Sequence, residues 1–305
     1  MSNNLMKSFS VIVPCYNSQK YVRTALQSIV DSKYLLDKIE VLVVDDGSTN
    51  SQDLYKTIES FLVNYPNVFK FFHKKNGNWG SVVNYVKKNN FAKNDLICIL
   101  DSDDKYKPCF FDVVNKKIKD NDVFITSFTV VEKKIRYKAQ PYYFLNRQVK
   151  DRQKYTVLVY PGCVIYKKEI FYSLEDLDEN LTHQDTVLFF DALRKTNKIR
   201  WTSKNTSVYW RSRPGNTMTS NFDDKKIKSQ LNVFYRLKKW DIENQFFWFL
   251  LQKNFCKELE KRNIVLDLHH KIKFTWAPIW MKWIFHILLW KKIKKIFIYK
   301  KENRE

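Results

Sequence analysis

Paired cysteines are missing from this sequence. Its five cysteines are odd in number, scattered along 305 residues, and never spaced as C-x-x-C. A disulfide framework or a structural zinc site needs closely matched sets of cysteine or histidine, so the spacing argues against both. We interpret the cysteines as small, reduced apolar side chains. They are Cys15, Cys98, Cys109, Cys163 and Cys256.

Long apolar segments are missing as well. No stretch holds about 18 uninterrupted apolar residues, so we expect no transmembrane helix. Residues 1–4 lead directly into a predicted strand, without the charged region, apolar core and cleavage site of a signal peptide. We therefore expect a cytoplasmic protein.

Acidic residues are few relative to basic ones. The chain has 54 Lys+Arg against 32 Asp+Glu, which gives a formal net charge of +22. Such an excess favours anionic partners, namely nucleic acid, an acidic membrane surface or a phosphorylated substrate. The sequence shows no RNP-like, helix-turn-helix or zinc pattern, which argues against nucleic acid.

Apolar runs alternate with helical patterns over the first 100 residues. Strands are predicted at 8–13, 40–44, 68–72 and 95–100. Such alternation is typical of βαβ units and of a parallel sheet, so we expect an α/β fold. The loops after the first, second and fourth strands then lie along one sheet edge, where ligands bind. We expect Tyr16, Asp46, Asp101 and Asp103 to meet there in one crevice.

Three carboxylates follow the fourth strand within four positions, at Asp101, Asp103 and Asp104. Like charges this close need a compensating partner, which a divalent cation bound to substrate phosphates would supply. An acidic turn that caps the next helix is the alternative, because an isolated D-x-D motif is weakly specific.

The alternation becomes less regular after residue 108. Strands are predicted at 123–131, 155–166, 199–201 and 207–211, and a helix opens at 181–185. After about residue 221 the sequence becomes helical, basic and rich in tryptophan. We therefore expect an α/β domain over 1–220 and a helical C-terminal region over 221–305.

The C-terminal region contains apolar residues at helical spacing, followed directly by lysines. This combination suits a helix that lies in the headgroup region of an anionic membrane, and the apolar stretch is too short to span one. Packing on the first domain, or on a second copy in a homo-oligomer, is the alternative. The apolar residues are Trp276, Trp280, Trp283, Ile287 and Trp290, and the lysines are Lys291, Lys292, Lys294 and Lys295.

Four separated motifs occur in order, namely VIVPCYN at 11–17, VVDDGS at 43–48, LDSDD at 100–104 and QD at 184–185. An Asn/Gly-rich segment at 76–84 and YWRSRPGN at 209–216 accompany them. Over roughly residues 8–220 the set resembles the family 2 glycosyltransferases of the GT-A fold. The resemblance implies a Rossmann-like, mostly parallel sheet flanked by helices, with a nucleotide sugar as donor.

The resemblance also implies which residues contact the nucleotide. It places the uracil of a UDP-sugar against Tyr16 and Asp46, with the backbone near Pro14 also in contact. The alternative for Asp46 is a tight turn and helix cap. Trp79 and Trp210 suit either stacking on a sugar or core packing.

The diphosphate side follows from the same resemblance. Asp101 and Asp103 would hold Mn²⁺ or Mg²⁺ against the diphosphate, where the metal stabilises negative charge. Arg211 and Arg213 would bind the diphosphate or an anionic acceptor through forked hydrogen bonds. A solvated basic strand and loop is the alternative for the two arginines.

Asp185 is the candidate general base, because it matches the aspartate of the family's Glu-Asp pair near a helix start. The first member of the pair is Gln184 here, which puts the local hydrogen bonding in doubt. A single carboxylate that deprotonates an acceptor hydroxyl implies direct displacement with inversion at the anomeric carbon. A helix N-cap is the alternative for Asp185.

The expected function is that of an inverting, metal-dependent glycosyltransferase. It would move a sugar from a UDP-sugar to a lipid-linked or polymeric glycan of a bacterial envelope, in the cytoplasm or peripherally at the inner face of the cell membrane. Transfer to a protein side chain is one alternative. A non-catalytic protein that binds nucleotide sugars or nucleic acid is the alternative from a different class.

Overall fold

The computed structural model describes residues 6–133, 135–139, 160–213, 222–240, 253–264, 266–268 and 297–299. The chain forms two compact units. Unit 1 comprises residues 1–152 and 157–221, and unit 2 comprises residues 153–156 and 222–305. None of the helices in the described ranges is long and apolar enough to cross a bilayer. The predicted tryptophan face at 276–290 and residues 214–216 of the last motif lie outside the described residues.

The first half of unit 1 alternates between strands and helices, as predicted. It contains β1 Phe9–Cys15, α1 Val22–Val30, β2 Ile39–Asp45, α2 Ser51–Asn64, β3 Phe69–His73, α3 Asn78–Lys88 and β4 Leu96–Ile99. Strands β1, β2 and β4 are buried along nearly their whole length, because their apolar side chains fill both faces of the sheet. The four predicted strands are confirmed, with ends that move by one or two residues.

The second half contains β5 Lys105–Tyr106, α4 Phe110–Lys117, β6 Val123–Glu132, β7 Ile135–Ala139, β8 Val164–Lys167, α5 Lys168–Ser173, α6 Gln184–Lys195 and β9 Ile199–Trp210. The prediction of separate strands at 199–201 and 207–211 is wrong. They form one strand, β9, because its polar middle still pairs with β6 across register shifts between Ile125 and Phe128.

The strand predicted at 155–166 is only partly present. Pro161–Cys163 form a short 3₁₀ turn, and the strand that follows is Val164–Lys167. Proline lacks the backbone N–H that a central strand would need at this position. Residues 155–159 lie outside the described residues.

The strands of unit 1 have the order β3-β2-β1-β4-β8-β6-β9-β5, and β7 pairs with β6. Strands β1 to β4 are parallel to one another, as the α/β prediction requires. Strand β8 is antiparallel to both β4 and β6, and β9 is parallel to β6. The carboxyl end of β9 therefore lies on the same edge as the carboxyl ends of β1, β2 and β4.

Aromatic side chains pack in the core at the amino end of β1. Phe9 contacts Tyr34 and Phe111 edge to face, with ring centroids 5.3 and 5.0 Å apart. All three side chains are buried in the same apolar cluster as the inner stripe of α1. Burial of each large apolar side chain contributes about 1.5–3 kcal/mol, so this cluster holds α1 and α4 firmly on the sheet.

Unit 2 contains helices α7 Asp224–Lys239 and α8 Lys253–Lys261, and the parallel strands β10 Leu266–Leu268 and β11 Phe297–Tyr299. Helix α7 begins at an N-cap, where the Asp223 side chain accepts a hydrogen bond from the Lys226 backbone at 2.7 Å. Phe222 and Phe255 stack with centroids 6.3 Å apart. The role of this unit at a membrane or a subunit contact stays a prediction.

The turn after β2 depends on the buried carboxylate of Asp45. One oxygen accepts hydrogen bonds from the Ser48 backbone at 2.9 Å and hydroxyl at 2.6 Å. The other accepts the Ser51 hydroxyl at 2.5 Å and lies 3.0 Å from Nδ1 of His73. Burial raises the pKa of Asp45, but these hydrogen bonds together lower it by more than burial raises it. The pKa therefore lies below its ordinary value of 3.8. The charged form therefore stabilises the turn.

We expect the substitution Asp45→Asn to lower the free energy of unfolding at pH 7 by about 1–3 kcal/mol, because it leaves buried donors without a charged acceptor. A carboxyl whose pKa is lower in the folded state stabilises the fold above its ordinary pKa. That contribution is lost as the pH falls through the folded-state value. The variant should therefore lose less stability than the wild type on acidification below about pH 5.

Urea unfolding at a series of pH values measures both effects. Asp37→Asn is the matched control, because Asp37 is exposed. Equal pH profiles for the wild type and the Asp45 variant would contradict the role given to this carboxylate.

Candidate active site

Three strand ends meet at the carboxyl edge of the unit 1 sheet. In the parallel register Cys15 is opposite Asp45, and Ile12 is opposite Ile99. The Asp46 backbone donates to the Cys15 carbonyl at 2.8 Å, so the loops after β1 and β2 leave the sheet together. The segments after β1, β2 and β4 are therefore neighbours, as the topology predicts.

The carboxylate of Asp46 is buried and accepts hydrogen bonds from the loop after β3. One oxygen accepts from Nζ of Lys74 at 2.7 Å, from the Gly77 backbone at 3.1 Å and from the Ser81 hydroxyl at 3.2 Å. The other accepts from the Asn76 amide at 3.1 Å. The Asn/Gly-rich segment that the sequence singled out thus encloses Asp46. Lys74 was not predicted, although a basic residue directly after a third parallel strand belongs at this edge.

Gly47 allows the loop after β2 to come close to the loop after β3. Its φ is +69°, a conformation that favours glycine, and a Cβ there would lie 2.6 Å from the Asn76 backbone nitrogen. Any other residue would need both a strained backbone and a displaced neighbour. The VVDDGS motif therefore requires glycine for contact between loops as well as for the turn.

Tyr16 stands at the open end of β1. The residue is 53% exposed, so its ring is accessible to a ligand. The next residue, Asn17, joins the loops after β1 and β2, since its backbone donates to the Ser48 hydroxyl and its side-chain oxygen accepts from the Thr49 backbone, both at 2.9 Å. Pro14 pairs with Val44 inside the sheet. The loop is held in place while the Tyr16 ring remains accessible.

The acidic segment after β4 forms a tight carboxylate cluster. Ligand oxygens of Asp101, Asp103 and Asp104 all lie within 4.8 Å of one another. Asp104 is buried, and one of its oxygens accepts the Trp210 backbone N–H at 2.8 Å. Its other oxygen has no hydrogen-bond partner among the described residues. This all-oxygen set fits a hard divalent cation such as Mn²⁺ or Mg²⁺.

Asp101 receives a hydrogen bond from Nε1 of Trp79 at 2.9 Å. Burial raises the pKa of Asp101 to about 6; Trp79 and Arg213 oppose this shift, and Asp185 adds to it. Trp79 thus donates a hydrogen bond to the acidic cluster. From the sequence, only stacking on a sugar or core packing was expected of this residue.

Asp185 lies in the first turn of α6, close enough to Asp101 to raise the pKa of that residue. Burial raises the pKa of Asp185 itself, although the backbone N–H groups of Asp185 and Thr186 lower it in part. The helix begins after His183, which has a left-handed φ of 62°. The structure therefore brings Asp185 to the acidic cluster from a distant part of the chain.

Gln184 is buried, and its side-chain oxygen accepts the Asp178 backbone N–H at 3.0 Å. A Cβ on Gly80 of α3 would lie 3.2 Å from Cγ of Gln184, so α3 and α6 approach closely at this point. An amide oxygen can accept this hydrogen bond as well as a carboxylate oxygen can, so this contact is compatible with the departure from the Glu-Asp pair.

The two predicted arginines have different partners. The guanidinium of Arg213 pairs with Asp103 and lies 5.4 Å from the ring centroid of Tyr21. Arg211 pairs with Glu132 of β6 at 3.4 Å. Tyr21, which was not predicted, also contacts the edge of Trp210 at 5.8 Å. Of the two arginines, the structure thus pairs Arg213 with the acidic cluster.

Comparison with known proteins gives a consistent picture. The glycosyl transferase family 2 model matches residues 10–175. An uncharacterized glycosyltransferase of Mycoplasma genitalium is 32% identical over 298 residues, which cover 96% of this chain and 98% of the relative. The minor teichoic acid biosynthesis protein GgaA of Bacillus subtilis is 25% identical, over 80% of this chain and 58% of its own length.

A solved structure shares the fold. S. aureus TarS 1-349 in complex with UDP-GlcNAc superposes with a TM-score of 0.63 at 19% identity, over 80% of this chain and 71% of that one. The likeness at this identity concerns the fold and agrees with the predicted GT-A architecture. Since the family model spans more than half of the sequence and a full-length relative is 32% identical, the chain belongs to glycosyl transferase family 2.

Proposed function

We propose that this glycosyltransferase is inverting and metal-dependent, and that it transfers a sugar from a UDP-sugar to a lipid-linked or polymeric glycan of the bacterial envelope. The observation that carries the proposal is the placement of Asp185 beside the carboxylate cluster of Asp101, Asp103 and Asp104. The UDP-GlcNAc in the TarS complex and the name of GgaA support the donor and the envelope acceptor.

The nucleotide occupies the side of the crevice formed by the loops after β1, β2 and β3. Tyr16 stacks on the uracil, because its ring is exposed at the strand end. Asp46 accepts a hydrogen bond from the imide N–H of the base in place of one of its present donors. The Lys74 ammonium offsets the negative charge of Asp46. The backbone at Pro14 completes this side.

The diphosphate occupies the side formed by the segment after β4. Asp101 and Asp103 would hold Mn²⁺ or Mg²⁺, and Asp104 offers a further oxygen. When bound, the cation stabilises the negative charge of the departing diphosphate. Arg213 adds a fixed positive charge beside Asp103. Arg211, which is held by Glu132, belongs to the acceptor side.

Asp185 acts as the general base. Burial raises the pKa of Asp185, which makes its carboxylate a stronger proton acceptor. The acceptor hydroxyl loses its proton to Asp185, and its oxygen forms a bond to the anomeric carbon. The bond from that carbon to the diphosphate breaks and UDP leaves. One displacement of this kind inverts the anomeric centre.

We expect Asp185→Asn to lower sugar transfer by about 10²- to 10⁴-fold, because the amide cannot accept the proton. UDP affinity should stay within about threefold of the wild-type value, since the substitution keeps the size of the side chain. UDP release from a panel of UDP-sugars with glycan and glycolipid acceptors measures transfer, and calorimetry measures UDP binding.

Glu169→Gln is the matched control, because Glu169 is an exposed carboxylate in the first turn of α5. Wild-type transfer by the Asp185 variant would exclude this residue as the base.

We expect Mn²⁺ to raise the UDP affinity of the wild type, and Asp103→Asn to reduce that gain by at least about tenfold, because the cation loses a charged ligand. Asp101→Asn should have the same effect. Calorimetry of UDP binding with Mn²⁺ and with a chelator measures both, and Glu169→Gln again serves as control. An affinity for UDP that does not depend on the metal in the wild type would contradict metal dependence.

A further inference from the structure

One face of the sheet formed by β5, β9, β6 and β7 carries an ordered set of basic side chains. Residues directly opposite one another on neighbouring strands share a face. The register gives two rows. The first row is Lys105, Val208, Thr129 and Lys138, and the second is Trp210, Val131 and Arg136. Lys107, directly after β5, extends to the first row. We call Lys105, Lys107, Arg136 and Lys138 the cationic strand face.

The positive charge of this face has little compensation. Within the part of the chain that the structure describes, none of its four basic residues has a carboxylate at ion-pair distance. The four strands contain a single carboxylate, Glu132, and that residue pairs with Arg211. Lys105, Arg136 and Lys138 are exposed. An anion would therefore meet unpaired positive charge here.

Lys107 shows that the face is more than a set of free surface lysines. Its Nζ donates to the Thr129 hydroxyl at 3.3 Å, and the Asn205 amide donates to the same oxygen at 2.8 Å. Lys138 is directly opposite Thr129. Burial lowers the pKa of Lys107, and the nearby Lys138 ammonium also lowers it. The Lys107 ammonium is thus held at Thr129, and the exposed Lys138 ammonium lies near enough to repel it, so a bound anion would relieve their repulsion.

The face is continuous with the candidate active site. Trp210, in the second row, donates its backbone N–H to Asp104, and its ring contacts Tyr21 beside Arg213. Neighbouring strands are about 4.8 Å apart, so the four strands span roughly 14 Å across the face. A chain that crosses the face would therefore reach the carboxylate cluster at the Trp210 end.

We propose that the cationic strand face binds phosphate groups along the chain of a phosphodiester-linked glycan acceptor, whose reactive hydroxyl lies at the Trp210 end. The inference rests on the proposed function and names its acceptor class. In the first row the cations Lys105 and Lys138 stand at the two ends, and the Lys107 ammonium reaches Thr129 between them. Positive charges thus recur across the face, as phosphate charges recur along a polymer. A nucleic acid would need a series of aromatic side chains for base stacking, whereas Trp210 is the single aromatic in the two rows.

The test uses the full-length protein and a fluorescently labelled glycerol-phosphate oligomer, with a neutral glycan of similar length for comparison. The double variant Lys107→Gln/Lys138→Gln should bind the oligomer at least about tenfold more weakly than the wild type. The slope of log affinity against log salt should fall by about one for each ammonium removed. Lys107→Arg/Lys138→Arg should keep most of the affinity, because it keeps the charge.

The matched control is Lys56→Gln/Lys88→Gln, which removes two exposed helical lysines from α2 and α3. UDP affinity, measured separately by calorimetry, reports on the donor site. It should stay within about twofold of wild type in every lysine variant, since the face lies outside the nucleotide side.

Three results would overturn the proposal. They are equal oligomer affinity in the wild type and the Lys107/Lys138 variant, equal affinity for the neutral glycan, and tighter binding to duplex DNA or phosphatidylglycerol vesicles than to the oligomer. A protein that binds the oligomer through these lysines but neither binds UDP nor releases it from UDP-sugars would support the cationic strand face and contradict the proposed function.

Discussion

At the carboxyl edge of the unit 1 sheet, oxygens of three buried or half-buried carboxylates lie within 4.8 Å of one another, and their mutual repulsion is the constraint on which the site depends. Such groups are stable only when specific donors or cations offset their charge. Each donor comes from a different part of the chain: Trp79 from α3, the Trp210 backbone from the end of β9 and Arg213 from beyond β9. The site therefore exists only when the whole sheet is assembled, and none of its acids can be understood separately from its donor.

The parts of the fold that the sequence predicts are those where one physical signal dominates. Strands β1, β2 and β4 are mostly apolar runs that are buried on both faces, and such runs are typical of central strands in a parallel sheet. Strand β9 could not be predicted as one element, because the polar residues in its middle resemble a loop. Its continuity depends on pairing with β6 across register shifts, a long-range interaction that no local pattern encodes.

The candidate site follows the same division. The topology alone predicts that Asp46, Asp101 and Asp103 meet, because parallel strands place their ends together. Tyr21 and Lys74 were missed, since each stands in an ordinary local context and gains its role from a residue that is remote in sequence. Different partners for Arg211 and Arg213 could not be predicted for a similar reason. Residues two apart near the end of a strand reached different partners, Glu132 and Asp103.

The contact between Gly47 and Asn76 has a consequence for how such an enzyme can change. The backbone at Gly47 accepts no side chain without strain and collision, so the two loops around Asp46 form a frame that substitutions cannot remodel gradually. The exposed ring of Tyr16 and the flexible stem of Lys74 are free of that restriction. A change in the preference for the nucleotide base is therefore expected to come from substitutions at exposed side chains such as these. The backbone around Gly47 would stay the same while that preference changed.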